Sequence, residues 1–94
     1  MSPLILRLYI AGSSPNSVQA LANLRGICRS LLREEPQIEI VDVLDAPQRA
    51  LGDGVWISPT LIRIHPLPVR RIIGNLSDQQ AMVDALNLSI RNNS

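Results

Sequence analysis

The chain contains a single cysteine, Cys28, among its 94 residues. Dithiol exchange needs a nucleophilic thiolate and a second, resolving thiol, usually in a Cys-x-x-Cys motif at a helix N-terminus, where the helix dipole lowers the thiol pKa. One cysteine in the middle of a helical pattern cannot supply that pair. A buried free cysteine most often acts as a small hydrophobic residue. We therefore expect no enzyme activity and no cofactor, and an enzyme that uses Cys28 alone is the remaining catalytic alternative.

Lysine is missing altogether. All nine basic residues are arginines, and with eight acidic residues they give a net charge of +1. So small a net charge excludes a general electrostatic attraction to nucleic acid. The only histidine, His65, has no cysteine or second histidine near it in the sequence, so we expect no metal site.

Long hydrophobic runs are also missing, since none approaches the roughly 20 residues that cross a bilayer. Residues 1–6 lack the basic region and cleavage site of a signal peptide, so we expect a cytoplasmic protein. Apolar residues make up 46% of the chain and charged residues 18%, which is typical of a folded protein. The length allows one domain, spanning residues 1–94.

The first half of the chain has the pattern of a strand, a helix and a second strand. Residues 4–11 form an alternating apolar run that predicts a central strand. Ser14 followed by Pro15 is typical of a helix N-cap with proline at the first helical position, and apolar residues at helical spacing predict an amphipathic helix over 15–34. Residues 37–45 alternate again. Such a βαβ unit favours parallel pairing of its two strands.

The second half is less regular. Residues 47–54 predict a short helix or a loop, because two glycines interrupt them. Residues 59–65 and 69–74 predict two strands, and the connection between them is too short for anything but a hairpin.

The C-terminal segment fits two structures. As a helix, it would begin with Ser77 as N-cap and Gln80 three residues later, the spacing of a capping box. One face of that helix would carry Met82, Val83, Leu86 and Ile90. Residues 85–91 also alternate with period two, so the same residues could form a strand. Periodicity does not separate the two structures in so short a segment.

Four blocks of the sequence carry a family resemblance. Residues 56–77 resemble the substrate-side half of a thioredoxin, with a Ser-Pro-Thr loop, an alternating run, a turn and a second run. The chain resembles the KaiB family of cyanobacterial circadian clock proteins, in order and spacing, at LYIAGSSPNSVQAL, VDVLDAPQ, SPTLIRI and PLPVRRIIGNLS. The match extends from about residue 4 to residue 88. It implies an α/β, thioredoxin-like domain with the element order βαβ-αββα and without thioredoxin chemistry.

The resemblance also implies a function in binding. KaiB proteins bind the hexameric clock ATPase KaiC and compete with sensor histidine kinases that have KaiB-like domains. We therefore expect a regulatory protein that binds a KaiC-like ATPase and that forms homo-oligomers in one of its states. The alternative is a thioredoxin-like adaptor that binds a sensor histidine kinase in stress or light signalling, with no clock role.

A fold switch is a further property that the resemblance implies. KaiB proteins rest as tetramers whose second half differs from thioredoxin, and they convert to a thioredoxin-like monomer that binds KaiC. The bonds before Pro59, Pro66 and Pro68 would supply a slow isomerisation step, although such prolines ordinarily only shape loops. This chain has Ala85 and Asn87 where the family typically has Gly and Asp. Because Ala stabilises a helix interior by about 1 kcal/mol over Gly, we expect the free chain to be mainly thioredoxin-like.

The partner-binding surface that the resemblance implies is changed in charge. The family carries lysines in the second strand and in the turn after it, where this chain has Glu39 and Asp45. We expect these two residues and Ala46, next to Asp45, to contact the partner. Reversed charges discriminate against the old partner, so we expect weak binding to a standard clock KaiC. The family's Arg70 and Arg71 are retained, either as partner contacts or as a solvated strand edge that discourages aggregation.

Trp56 precedes the Ser-Pro-Thr loop. An exposed tryptophan there would be an interface anchor. We predict instead that Trp56 packs in the core beside the loop. A little earlier in the chain, Leu51 and Gly52 replace a family acidic pair.

Overall fold

The computed structural model describes residues 3–32 and 35–86. These residues form four strands and three helices. In chain order they are β1 (Ile5–Ile10), α1 (Pro15–Leu31), β2 (Gln37–Asp42), α2 (Pro47–Gly52), β3 (Thr60–His65), β4 (Arg70–Ile73) and α3 (Gln79–Leu86). No helix in this part of the chain is both long enough and apolar enough to span a bilayer.

The strands form one mixed sheet in the order β2-β1-β3-β4. β1 is central and pairs in parallel with β2, which confirms the predicted βαβ unit. β3 is antiparallel to both β1 and β4, so the predicted hairpin is also confirmed. Leu8 on β1 illustrates the register, because it lies opposite Ile40 on β2 and Leu61 on β3.

Alternation along β1 divides the core into two parts. Leu6 and Leu8 point to the face that packs against α1 and α3, together with Leu24 and Met82. Tyr9 points to the other face, where it joins residues of α2 and of the neighbouring strands. Side chains of successive strand residues point to opposite faces. One strand therefore supplies both layers, with helices on each side of the sheet.

Helix α1 begins as its sequence predicts. The Ser14 Oγ accepts a hydrogen bond from the Ser17 backbone N–H at 3.4 Å, and Pro15 occupies the first turn. The helix ends at Leu31 rather than at residue 34. Residues 33 and 34 lie outside the described residues.

Strand β2 ends at Asp42, three residues before the predicted end. The Asp42 Oδ1 accepts hydrogen bonds from the backbone N–H groups of Leu44, at 2.9 Å, and Gly12, at 3.1 Å. An aspartate that binds the backbone two residues ahead makes an Asx-turn. This turn breaks the alternating pattern that the sequence continues to residue 45.

The predicted capping box of α3 is wrong. The cap is Asp78, whose Oδ1 accepts a hydrogen bond from the Ala81 backbone N–H at 3.0 Å. Ser77 lies one residue too early, and its own backbone N–H donates to the side chain of Asn75. Gln80 does not reach back to the cap but donates to Asp84 at 2.9 Å. Aspartate is as good an N-cap as serine, so its position fixes the helix start.

Through residue 86 the C-terminal segment is helical. Met82 and Leu86 are buried, while Val83 and Ala85 are half-buried in α3. The described arrangement is therefore the thioredoxin-like one. Asn87 lies outside the described residues, as do Ile90 and the end of the predicted strand. The fold switch itself remains a prediction.

Candidate partner-binding surface

Glu39 lies on the edge strand β2, and two arginines hold its carboxylate. Arg7 on β1 donates from Nε at 2.8 Å, and Arg49 on α2 donates through both terminal nitrogens at 2.8 and 2.9 Å. The hydrogen bonds from Arg49, followed by those from Arg7, lower the pKa of Glu39 to about 2. The bidentate pair fixes both side chains. Glu39 therefore ties β2 to α2, and its predicted contact with a partner stays a prediction.

Asp53, directly after α2, is the second centre of the same network. Its carboxylate accepts hydrogen bonds from Arg7, at 2.8 Å, and from the Tyr9 hydroxyl. The Tyr9 bond, with a further contribution from Arg7, lowers the pKa of Asp53. The Arg71 guanidinium donates to the backbone carbonyl of Asp53 and, at 3.3 Å, to that of Gly54. Arg71 thus links β4 to the end of α2.

Asp45 and Ala46 lie in the turn between β2 and α2. The Asp45 side chain is exposed, and its carboxylate makes no ion pair with any residue in 3–32 or 35–86. Ala46 is half-buried, and its backbone N–H donates to the Asp42 carbonyl at 2.9 Å. Of the two residues with reversed charge, only Asp45 has no ion pair among the described residues, so its charge is available to a partner.

Arg70 and Arg71 are neighbours in sequence but lie on opposite faces of β4. Arg71 pairs in register with Ile62, on the α2 face, and Arg70 pairs with Arg63, on the other face. Both side chains are exposed. The structure therefore brings Arg71 close to the Asp53 network and leaves Arg70 apart from it.

The three prolines predicted to act in the fold switch lie before β3 and between β3 and β4. The peptide bonds before Pro59, Pro66 and Pro68 are all cis. Pro59 is buried at the start of β3, and the next residue, Thr60, donates its hydroxyl to the Ile57 carbonyl. Pro66 and Pro68 form the turn of the hairpin.

Arg63 is a functional candidate that the sequence analysis did not identify. Only 3% of it is exposed. Its guanidinium donates to the carbonyl of Leu86, the last residue of α3, at 2.9 Å, and to the carbonyl of Pro68 at 2.7 Å. A cation at a helix C-terminus is favourable. The sequence does indicate that Arg63 is buried, because it lies two residues after the core residue Leu61 and therefore on the same face of the strand.

The prediction that Trp56 packs in the core is wrong. Its side chain is 82% exposed, and Val55 takes the buried position next to it. The chain turns between α2 and β3, so Trp56 and Ile57 both face solvent while Pro59 enters the core. Trp56 lies at the rim of an apolar groove beside α2.

Cys28 is half-buried in α1 and packs against the core. Burial, with a smaller contribution from Glu35, raises the pKa of its thiol. This shift is opposite to the one that activates a catalytic cysteine. Within the described residues, no group of three or more potential metal ligands is placed to hold an ion.

The fold and this surface define a thioredoxin-like protein that lacks the dithiol. The N-terminal domain of Synechococcus elongatus SasA superposes with a TM-score of 0.75 at 24% identity, covering 90% of this chain and 84% of that domain. Fasciola hepatica thioredoxin gives 0.72 at 16% identity, covering 93% and 82%. At these identities the likeness concerns the fold alone. It confirms the expected thioredoxin-like α/β class.

The sequence comparisons identify the family. The KaiB domain model matches residues 7–88. The circadian clock protein KaiB3 of Synechocystis sp. is 42% identical over 88 residues, which cover 94% of this chain and 86% of that protein. The circadian clock oscillator protein KaiB of Prochlorococcus marinus is 46% identical over 84 residues, covering 89% and 71%. The chain belongs to the KaiB family.

Proposed function

We propose that the chain is a non-catalytic regulatory protein that binds a KaiC-like ATPase in a circadian clock or a clock-derived signalling system. It would act in the cytoplasm as a single domain spanning residues 1–94. The observation that carries this proposal is the 42–46% identity to circadian clock proteins over 89–94% of the chain. The pKa of Cys28, raised by burial, supports a role in binding rather than in thiol chemistry.

Asp45 is the residue on which we base partner selectivity. It is exposed in the turn between β2 and α2, and no described ion pair neutralises it. Glu39 contributes differently, because Arg7 and Arg49 already balance its charge. A partner would therefore meet one acidic position in this turn, and its own surface should be basic or neutral there.

The test is a titration of the chain against a standard clock KaiC. Asp45→Lys restores the sign that the family resemblance implies and breaks no described hydrogen bond of the side chain. We expect it to increase the affinity about two- to fivefold, the range of one exposed charge pair. Glu35→Lys makes the same change in net charge at an exposed residue just before the other end of β2, and we expect it to leave the affinity unchanged.

Two results would count against the proposal. If both variants raise the affinity equally, the effect is one of net charge and Asp45 is not at the interface. If neither the original chain nor Asp45→Lys binds the ATPase, but the chain binds the sensor domain of a histidine kinase, the adaptor alternative takes its place.

A further inference from the structure

Strand β4 forms one outer edge of the sheet. It pairs with β3 on one side, and no described residue pairs with it on the other. Just after β4, the Gly74 N–H donates to the Pro59 carbonyl at 2.9 Å. Hydrogen-bonded pairs alternate along an antiparallel ladder, so the N–H and C=O groups of Arg71 and Ile73 point away from β3. We call these outward groups and the side chains of residues 69–73 the β4 edge.

The β4 edge is basic. Residues 66–74 include Arg70 and Arg71 and no acidic residue. Arg70 is exposed and makes no ion pair with any described residue. The Arg71 guanidinium donates to two backbone carbonyls, those of Asp53 and Gly54. The edge therefore offers two adjacent cations beside main-chain groups that lack partners among the described residues.

Apolar side chains flank the two arginines. Val69, just before β4, is 49% exposed, and Ile73 is 61% exposed. Residues directly opposite each other on neighbouring strands interact favourably when both are apolar or when their charges are opposite. The strand that complements this edge therefore carries two adjacent acidic residues with apolar residues on either side of them.

We propose that the β4 edge binds an extended acidic segment of a partner protein, which adds to the sheet antiparallel to β4. Antiparallel pairing is slightly more stable per residue than parallel pairing. The outward backbone groups of Arg71 and Ile73 would bind the main chain of the segment. Its two carboxylates would lie opposite Arg70 and Arg71, one on each face of the sheet. This inference does not depend on the function proposed above.

The charges also select against other strands and another edge. A second copy that paired through its own β4 edge would bring both pairs of arginines together, and like charges opposite each other are destabilising. At the other edge of the sheet, β2 carries the acidic residues Glu39 and Asp42. An acidic strand is therefore directed to β4 rather than to β2.

The experiment is an NMR titration of the chain with the acetylated and amidated peptide Thr-Val-Val-Glu-Glu-Val-Thr. The contact is smaller than a standard interface, so we expect a dissociation constant on the order of 0.1–1 mM, which rises with salt. At ten times that concentration of peptide, about one molecule in ten is free. Hydrogen exchange at the Arg71 and Ile73 amides should then be about tenfold slower. The Ile72 amide already faces β3 and should change less.

Arg70→Glu tests the charge. It replaces an attraction by a repulsion, so the dissociation constant should rise at least about fivefold. The matched control is Arg25→Glu, the same change at an exposed residue of α1, which should stay within about twofold of the original.

Two further peptides test the recognition of the segment. A peptide with lysine in place of both glutamates should not bind. A peptide with proline in place of its first valine, opposite Ile73, loses a main-chain donor and should bind at least about threefold more weakly.

Four results would overturn the proposal. The first is an acidic peptide that does not bind at about 10 mM, ten times the weakest expected dissociation constant. The second is an equal loss of affinity in Arg25→Glu and Arg70→Glu, which would reduce the effect to net charge. The third is equal binding of the proline peptide, which would indicate ionic attraction without strand addition. The fourth is slow exchange at Arg71 and Ile73 without peptide, together with a mass that rises with concentration, which would assign the β4 edge to a second copy.

Discussion

Replacing Arg63 by methionine tests what holds α3 to the sheet. Methionine keeps most of the length of the side chain and removes the guanidinium. The change deletes the hydrogen bonds to Leu86, at 2.9 Å, and Pro68, at 2.7 Å. Hydrogen bonds from a charged group contribute about 1.5–3 kcal/mol each, so about 3–6 kcal/mol of favourable interaction is lost.

Part of that loss is offset. The Arg63 Nε is buried without a hydrogen-bond partner among the described residues, and an unsatisfied buried donor costs about 1–3 kcal/mol. Methionine removes that cost. We expect a net decrease in the free energy of unfolding of roughly 2–3 kcal/mol, which leaves a domain of ordinary stability folded.

The assay is urea denaturation followed by circular dichroism, with hydrogen exchange of the backbone amides alongside. Amides of α3 should exchange faster in Arg63→Met, with a smaller change in α1, because the lost bonds join β3 to the end of α3. The control is Arg70→Met, the cross-strand neighbour of Arg63 on β4. Arg70 is exposed, so its replacement should change stability by no more than about 0.5 kcal/mol. If Arg63→Met is as stable as the original chain, burial of the guanidinium costs as much as its two bonds contribute, and our reasoning is wrong.

Two other predictions concern acid stability and fold. The pKa of Glu39 falls from 4.5 to about 2 on folding, so its stabilisation is complete above pH 4.5 and is lost as the pH falls toward 2. The original chain should be more stable than Glu39→Gln by less than about 1 kcal/mol, because the ion pair is half-exposed. In pH-dependent denaturation this difference in stability should shrink as the pH falls from 4.5 toward 2. A difference that stays constant with pH would contradict the ion-pair interpretation. Ala85→Gly should weaken the α3 helix by about 1 kcal/mol and shift the population roughly fivefold toward the non-helical state. NMR chemical shifts of residues 82–90 and mass by light scattering measure that shift, and unchanged shifts would refute it.

Local patterns predicted the frame of this fold because each depends on neighbouring residues. Alternation identified β1, β2 and the hairpin, and the Ser14–Pro15 pair identified the start of α1. The start of α3 was harder, because Ser77 and Asp78 are adjacent and both can cap a helix. Propensity does not choose between them. The hydrogen bonds of the folded chain do: the Asp78 Oδ1 accepts the Ala81 backbone N–H, whereas the Ser77 backbone N–H donates to the Asn75 side chain.

Contacts between distant residues could not be predicted in the same way. Glu39 carries a charge on an edge strand, and nothing in its neighbourhood reveals Arg7, 32 residues away, or Arg49, 10 residues away. Its role as a tie between strand and helix therefore emerges only from the fold. The prediction that Trp56 is buried was wrong for another reason. An apolar residue is expected inside, but here Val55 occupies the buried position and Trp56 is left outside.

The Glu39 network also constrains how the partner surface of this chain can change. The resemblance to the family implies a lysine at position 39. In this chain a lysine there would face two arginines in place of accepting their hydrogen bonds, since Arg7 and Arg49 both approach Glu39 to 2.8 Å. Like charges at that separation repel, whereas Asp45 makes no ion pair with any described residue. Reversing the charge at position 39 therefore also disturbs the contact with Arg49 on α2. Reversing the charge at position 45 breaks no described ion pair, so the charge there can change to match the partner. A stability double-mutant cycle of Glu39→Lys with Arg49→Glu should show a favourable interaction energy, and one of Asp45→Lys with Arg49→Glu should show none.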